Sequence, residues 1–128
     1  MRLPLPVLFS LLLASPAFAG GDAARGRALL GDRQKSLCLL CHAAPDGVGP
    51  LQGNLAPGLH GVGSRYDAAE LRHHLEAPQD FNPETIMPSY SRSQGLDNVG
   101  HAFQGQPILS PAALDDLVAY LASLKDAP

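Results

Sequence analysis

The chain is 128 residues long, 45% hydrophobic and 16% charged, with a formal net charge of −3 at pH 7. That size fits one domain, and mild acidity without a run of Lys or Arg argues against nucleic acid as a partner. With no Trp, three Tyr and four Phe, so short a chain is poorly supplied for a core of its own, a shortage that a buried prosthetic group would make good. No composition break, internal repeat or low-complexity segment divides it.

The N-terminus reads as a cleaved signal peptide over residues 1–19, leaving 20–128 as the mature domain. Arg2 supplies a short positive region, an apolar run follows from Leu3 to Ala14, and Ala17-Phe18-Ala19 gives the small-x-small pattern of a cleavage site. A membrane anchor is the competing reading, but the run is too short to span a bilayer and carries Pro4 and Pro6. Export places the mature chain in the periplasm.

The first helix is predicted to start at an Asp22 N-cap and run from Ala23 to Leu30. Gly26 within it costs about 1 kcal/mol of helix propensity against Ala, which signals close approach of another element.

Next comes Cys38-Leu39-Leu40-Cys41-His42. This is C-x-x-C-H, the attachment site of a c-type haem. The two thiols add across the porphyrin vinyl groups, two spacer residues suit the distance between them, and the adjacent histidine is placed to ligate the iron. A thioredoxin-like dithiol wants a βαβ context that is missing, and a zinc site wants two more ligands. No other cysteine exists.

The segment Asp46 to Gly63 is rich in Gly and Pro. It is expected to be irregular backbone that approaches a flat cofactor where a Cβ would clash. The middle helix opens Asp67-Ala68-Ala69-Glu70, a capping-box pattern, places Leu71 and Leu75 on one face, and ends at Pro78. His73 and His74 are adjacent on it, point about 100° apart, and read as surface residues.

Haem ligation by His42 leaves a sixth position. Met1 departs with the signal peptide, so Met87 is the remaining methionine, in the stiff loop Asn82-Pro83-Glu84-Thr85-Ile86-Met87-Pro88. His60 and His101 are rivals with weaker positioning contexts. With Met87 as the second axial ligand, no site remains for oxygen or substrate, and the chemistry left is one-electron transfer. The stretch Tyr90 to Gln106 is polar and aperiodic, an ordinary surface loop or a docking segment. The last helix has a Ser110 cap, Pro111 at its first position, and Leu114, Leu117, Val118, Leu121 and Leu124 at helical spacing. Asp115 and Asp116 near its start and Lys125 near its end suit the helix dipole. The class is all-α.

This order of elements resembles the class I cytochromes c, which implies three main helices with Gly/Pro-rich loops around one covalent haem c. The resemblance implies that Gly26 packs against the aromatic Tyr120. It makes Pro57 the residue whose carbonyl accepts from the axial His42, and Arg65 a candidate contact to a haem propionate. The site residues expected are therefore Cys38, Cys41, His42, Met87, Pro57 and Arg65, with His42 and Met87 on the iron.

A narrower resemblance rests on Arg33-Gln34-Lys35 before the haem motif, Gly53-Asn54-Leu55-Ala56-Pro57, and Asn82-Pro83-Glu84-Thr85-Ile86-Met87-Pro88. These are similar to the SoxX family, the small monohaem subunits of SoxAX complexes in bacterial sulfur oxidation. That resemblance implies a heterodimer with a SoxA-type cytochrome, which couples thiosulfate to a cysteine of the SoxYZ carrier. The chain would then be an electron-transfer subunit with no catalytic residue of its own, delivering electrons to an acceptor cytochrome c. A free periplasmic electron shuttle is the alternative.

Overall fold

The computed structural model describes residues 20–45 and 47–126; the expected signal peptide, residues 1–19, lies outside them. The described residues form four α-helices, α1 (Ala23–Gly31), α2 (Val62–Arg65), α3 (Ala68–Glu76) and α4 (Pro111–Ser123). Three short 3-10 turns, Cys38–Leu40, Pro78–Asp80 and His101–Phe103, complete the regular structure, with no strand among the described residues. No helix among them is long and apolar enough to cross a membrane.

The local signals place the helix ends. Asp22 accepts from the Arg25 N–H at 2.9 Å, and Ser110 from the Ala113 N–H at 3.2 Å. Asp67 and Glu70 form a full capping box around α3, each accepting from the other's backbone N–H at 2.8–2.9 Å. α2 was not legible from periodicity, since one turn is too short to carry a pattern. It is set by Gly61 at φ +62° and by docking of Gly63, whose N–H donates to the Leu124 carbonyl at 2.9 Å.

α1 and α4 cross at Gly26. A Cβ there would collide with the Asp116 carbonyl and stand 2.8 Å from the Tyr120 Cβ. The helix-propensity cost of Gly26 is thus offset by closer packing of two helices. Below this crossing Leu30, Leu114 and Leu117 are buried to within 2% of full exclusion from solvent. Burying each such side chain contributes about 1.5–3 kcal/mol.

Asp115 and Asp116 do more than complement a dipole. Asp116 takes a two-pronged bond from the Arg25 guanidinium, at 2.7 and 2.8 Å, and a third from the Asp22 N–H at 2.6 Å. Asp115 pairs with Arg72 of α3. One acidic pair at the start of α4 therefore ties it to α1 and α3.

The hydrogen bonds from Arg25, then that from the Asp22 N–H, hold the Asp116 carboxyl below the usual carboxylate range. A depressed folded value stabilises the fold at pH above the ordinary carboxylate pKa and loses that contribution as pH falls through the folded value. Wild type and Asp116→Asn should accordingly differ in denaturant midpoint at pH 7 and converge as pH falls below the usual carboxylate range. A gap that stays constant with pH would contradict this role.

Candidate functional site

The haem motif sits on the tight turn after α1. Leu37 enters it at φ +60°, a left-handed conformation that costs a non-glycine residue about 1–2 kcal/mol. The turn then closes with the Cys41 and His42 N–H groups both donating to the Cys38 carbonyl, at 3.2 and 2.9 Å. Cys38 is buried and Cys41 half-buried, and no disulfide joins them. Burial pushes the Cys38 thiol up, against hydrogen bonds at Ser36 and Tyr90 that pull it down.

Two hollows meet at this turn. The first is an apolar cavity of about 250 Å³. Its walls come from every helix: Leu30 of α1, Val62 of α2, Leu71 and Leu75 of α3, Leu117 and Leu121 of α4. Cys38, His42, Pro57, Arg65 and Met87 line it too. The second, about 370 Å³, shares Cys38, His42, Pro57 and Met87 and adds Cys41, Leu55 and Ile86 at its rim. The structure thus brings five expected site residues together around one slot and Arg65 onto its inner wall.

His42 is oriented within it. Its Nδ1 lies 2.7 Å from the Pro57 carbonyl oxygen. A carbonyl can only accept, so Nδ1 carries the proton and Nε2 keeps a free lone pair for a metal. Pro57 is held in turn by the loop around it. The Ala56 N–H donates to the Cys41 carbonyl at 2.9 Å, the Leu59 N–H to Ala43 at 2.7 Å, and a Cβ on Gly53 would strike the Leu40 carbonyl.

Arg65 braces the same loop. Its guanidinium donates to the His60 and Gly58 carbonyls, at 2.8 and 3.1 Å, so those donors are spent on protein. Met87 is half-buried and pinned from both sides. Its N–H donates to Thr85 Oγ1 at 3.2 Å, and its carbonyl accepts from Gln79 Nε2 at 3.3 Å. Ser89 bonds the Glu76 carbonyl at the end of α3. His60 and His101 are exposed and line neither hollow.

Two residues escaped the sequence reading. Tyr90, the first residue of the stretch read as a polar loop, is 4% exposed; its hydroxyl donates to the Ser36 carbonyl at 2.7 Å and lies 3.7 Å from Cys38 Sγ. Burial raises the Tyr90 phenol far above its ordinary range, so it stays a neutral donor. His74 corrects the expectation of a surface residue. Its partner His73 is exposed and bonds Asp80 at 2.7 Å, whereas His74 lines the first cavity.

Two thiols on one turn, an imidazole with its Nε2 free and apolar walls suit a covalently bound haem c, and the Met87 thioether lines the same slot. Residues 23–125 match the family model described as Cytochrome c. The chain belongs to the cytochrome c family. Membership carries with it one covalently attached haem c, for which Cys38, Cys41 and His42 are the attachment motif. No curated protein matches the sequence. Among solved structures, this cytochrome is similar to a chain of SoxXA from P. pantotrophus, at 28% identity and a TM-score of 0.76. The alignment covers 85% of each chain.

Proposed function

We propose that this cytochrome is the SoxX-type, electron-accepting subunit of a periplasmic complex with a SoxA-type partner. The likeness to SoxXA across 85% of both chains carries the reading, and the signal-peptide pattern supports export. In this reading His42 and Met87 are the residues that would hold the haem iron. Bound here, the haem supplies a one-electron Fe(III)/Fe(II) couple.

The chain's own residues define what that couple is used for. Pro57 fixes the His42 tautomer and makes the imidazole a stronger donor. On the iron, the Met87 thioether would favour the ferrous state and would leave no place for a substrate. Apolar walls keep water out. With both cysteines spent as thioethers the chain would keep no thiol nucleophile, so in this reading coupling of thiosulfate to the SoxYZ cysteine belongs to the partner. This chain receives single electrons from it and passes them to a diffusing cytochrome c. The slot's rim offers a place for such exchange, because Leu55 and Ile86 beside Cys41 are 70% and 75% exposed.

Pull-down of the holoprotein should retrieve a SoxA-type cytochrome. The isolated chain should show no thiosulfate turnover with SoxYZ, and adding the SoxA-type cytochrome should restore it. A monomer that ignores SoxA and exchanges electrons with a terminal oxidase would establish the free-shuttle reading instead.

A further inference from the structure

A third hollow, a cleft of about 940 Å³, is larger than either of those at the haem turn. Leu29 of α1 and Ala113 of α4 line one part of it, and Leu96, Phe103 and Ile108 of the stretch before α4 line another. That stretch has no distance to bridge. The Tyr90 N–H is bonded to α3, and the Tyr90 carbonyl accepts from the Leu109 N–H at 3.0 Å. Residues 91–108 thus leave the fold and return to the same point. What they add is one wall of this cleft. The 3-10 turn His101–Phe103 is closed by the Phe103 N–H on the Gly100 carbonyl at 2.8 Å, and it leaves the Phe103 ring 68% exposed. Leu37, Leu96 and Ile108 are 43–44% exposed on the same cleft.

Four large apolar side chains held in water around one concavity mark an interaction surface. Its size, position and charge say what fits there. A lasting complex takes about 20–30 residues from each partner, whereas passing redox encounters bury less. The rim of the haem slot, Leu55 and Ile86, suits only the second kind, but 18 residues line the cleft. Leu37 lines both the cleft and the second hollow of the haem slot, so the cleft is continuous with the place where electrons must enter. The cleft is basic where it meets the haem turn. Lys35 lines it, loosely paired with Asp32 at 3.6 Å, and the neighbouring Arg33 reaches the Leu51 carbonyl at 3.5 Å. Arg25 and Asp116 neutralise each other within it, and Asp97 reverses the sign at the loop.

We propose that this cleft is the docking surface for the SoxA-type subunit, which fills it with apolar side chains and sets a carboxylate against Arg33 and Lys35. The inference rests on the SoxX-type reading above. The permanent partner then sits beside the haem turn through Leu37, and the Leu55 and Ile86 rim stays open to the acceptor cytochrome.

The test is titration calorimetry of the holoprotein against the SoxA-type cytochrome that co-purifies with it. A Phe103→Asp, Ile108→Asp double variant should bind about a hundredfold more weakly, the loss expected for apolar anchors at the centre of an interface. Both side chains are exposed, so the haem spectrum and reduction potential should not change. Phe103→Leu, which keeps an apolar side chain, should retain most of the affinity, and Ala69→Asp, an exposed position on α3 outside the cleft, all of it. A double variant that binds as tightly as wild type overturns the proposal, and so does an equal loss in Ala69→Asp. Sedimentation of the chain alone covers the remaining occupant: a dimer that the double variant dissolves, with affinity for the SoxA-type cytochrome intact, assigns the cleft to a second copy and overturns it too. A wild type that neither co-purifies with nor binds such a cytochrome sinks the SoxX-type reading itself, and the docking surface with it.

Discussion

A Cys38→Ala, Cys41→Ala double variant should carry no covalent haem and should fail to accumulate. The magnitude follows from the walls of the cavity. All four helices turn leucine or valine side chains into it, so the cofactor is the filling of the core rather than an addition to its surface. An unfilled cavity destabilises by about 24 cal/mol per Å³. For about 250 Å³ this approaches roughly 6 kcal/mol, an upper limit because the slot opens to solvent at its rim. Domains of this size have about 5–15 kcal/mol in total, so loss of the haem removes a large fraction of what holds the helices together. Mass spectrometry of the wild-type mature protein should give the peptide mass plus one haem. A mature wild-type protein with two free thiols would end the assignment.

Met87→Ala should change the iron without dismantling the fold. Met87 lies on an exposed loop at the edge of the core, and its neighbours are anchored independently. Ser89 is bonded to α3, and the Tyr90 N–H donates to the Leu75 carbonyl at 2.9 Å. The oxidised variant should lose the near-infrared sulfur-to-iron band completely and bind cyanide, which the wild type resists. Its potential should fall by on the order of 0.1 V, within the roughly 0.8 V over which axial ligands set haem potentials. Binding to a SoxA-type partner should persist while electron delivery slows. A wild type that lacks the band, with a spectrum altered by His60→Ala or His101→Ala, would move the ligand elsewhere; both of those histidines are exposed and away from the slot.

Much of this site was legible because its chemistry is local. Cys38, Cys41 and His42 lie within five consecutive residues, and the spacing that suits two vinyl groups is a property of the chain alone. The same holds for the helix ends at Asp22, Asp67 and Ser110, where a side chain bonds a backbone group three residues on. Met87, the ligand we propose, was reachable by elimination, since the other methionine, Met1, falls in the expected signal peptide. Pro57 and Gly26 needed the family resemblance to be assigned partners, because a carbonyl fifteen residues from an imidazole leaves no mark on periodicity.

Tertiary structure decided the rest, and in each case the deciding neighbour is distant in sequence. Asp116 reads as a dipole-complementing residue until Arg25, 91 residues away, is folded onto it. Tyr90 opens a polar stretch, yet 54 residues separate it from the Ser36 carbonyl that makes it a core residue. His73 and His74 are indistinguishable by type and position on a helix. Only the packing of α3 over the cavity, with Phe81 and Tyr66 gripping the ring, turns one imidazole to solvent and the other toward the haem slot. A sequence states which side chains a helix presents. Which of its faces is buried against a cofactor depends on the helices that close around it, and that is a property of the folded chain.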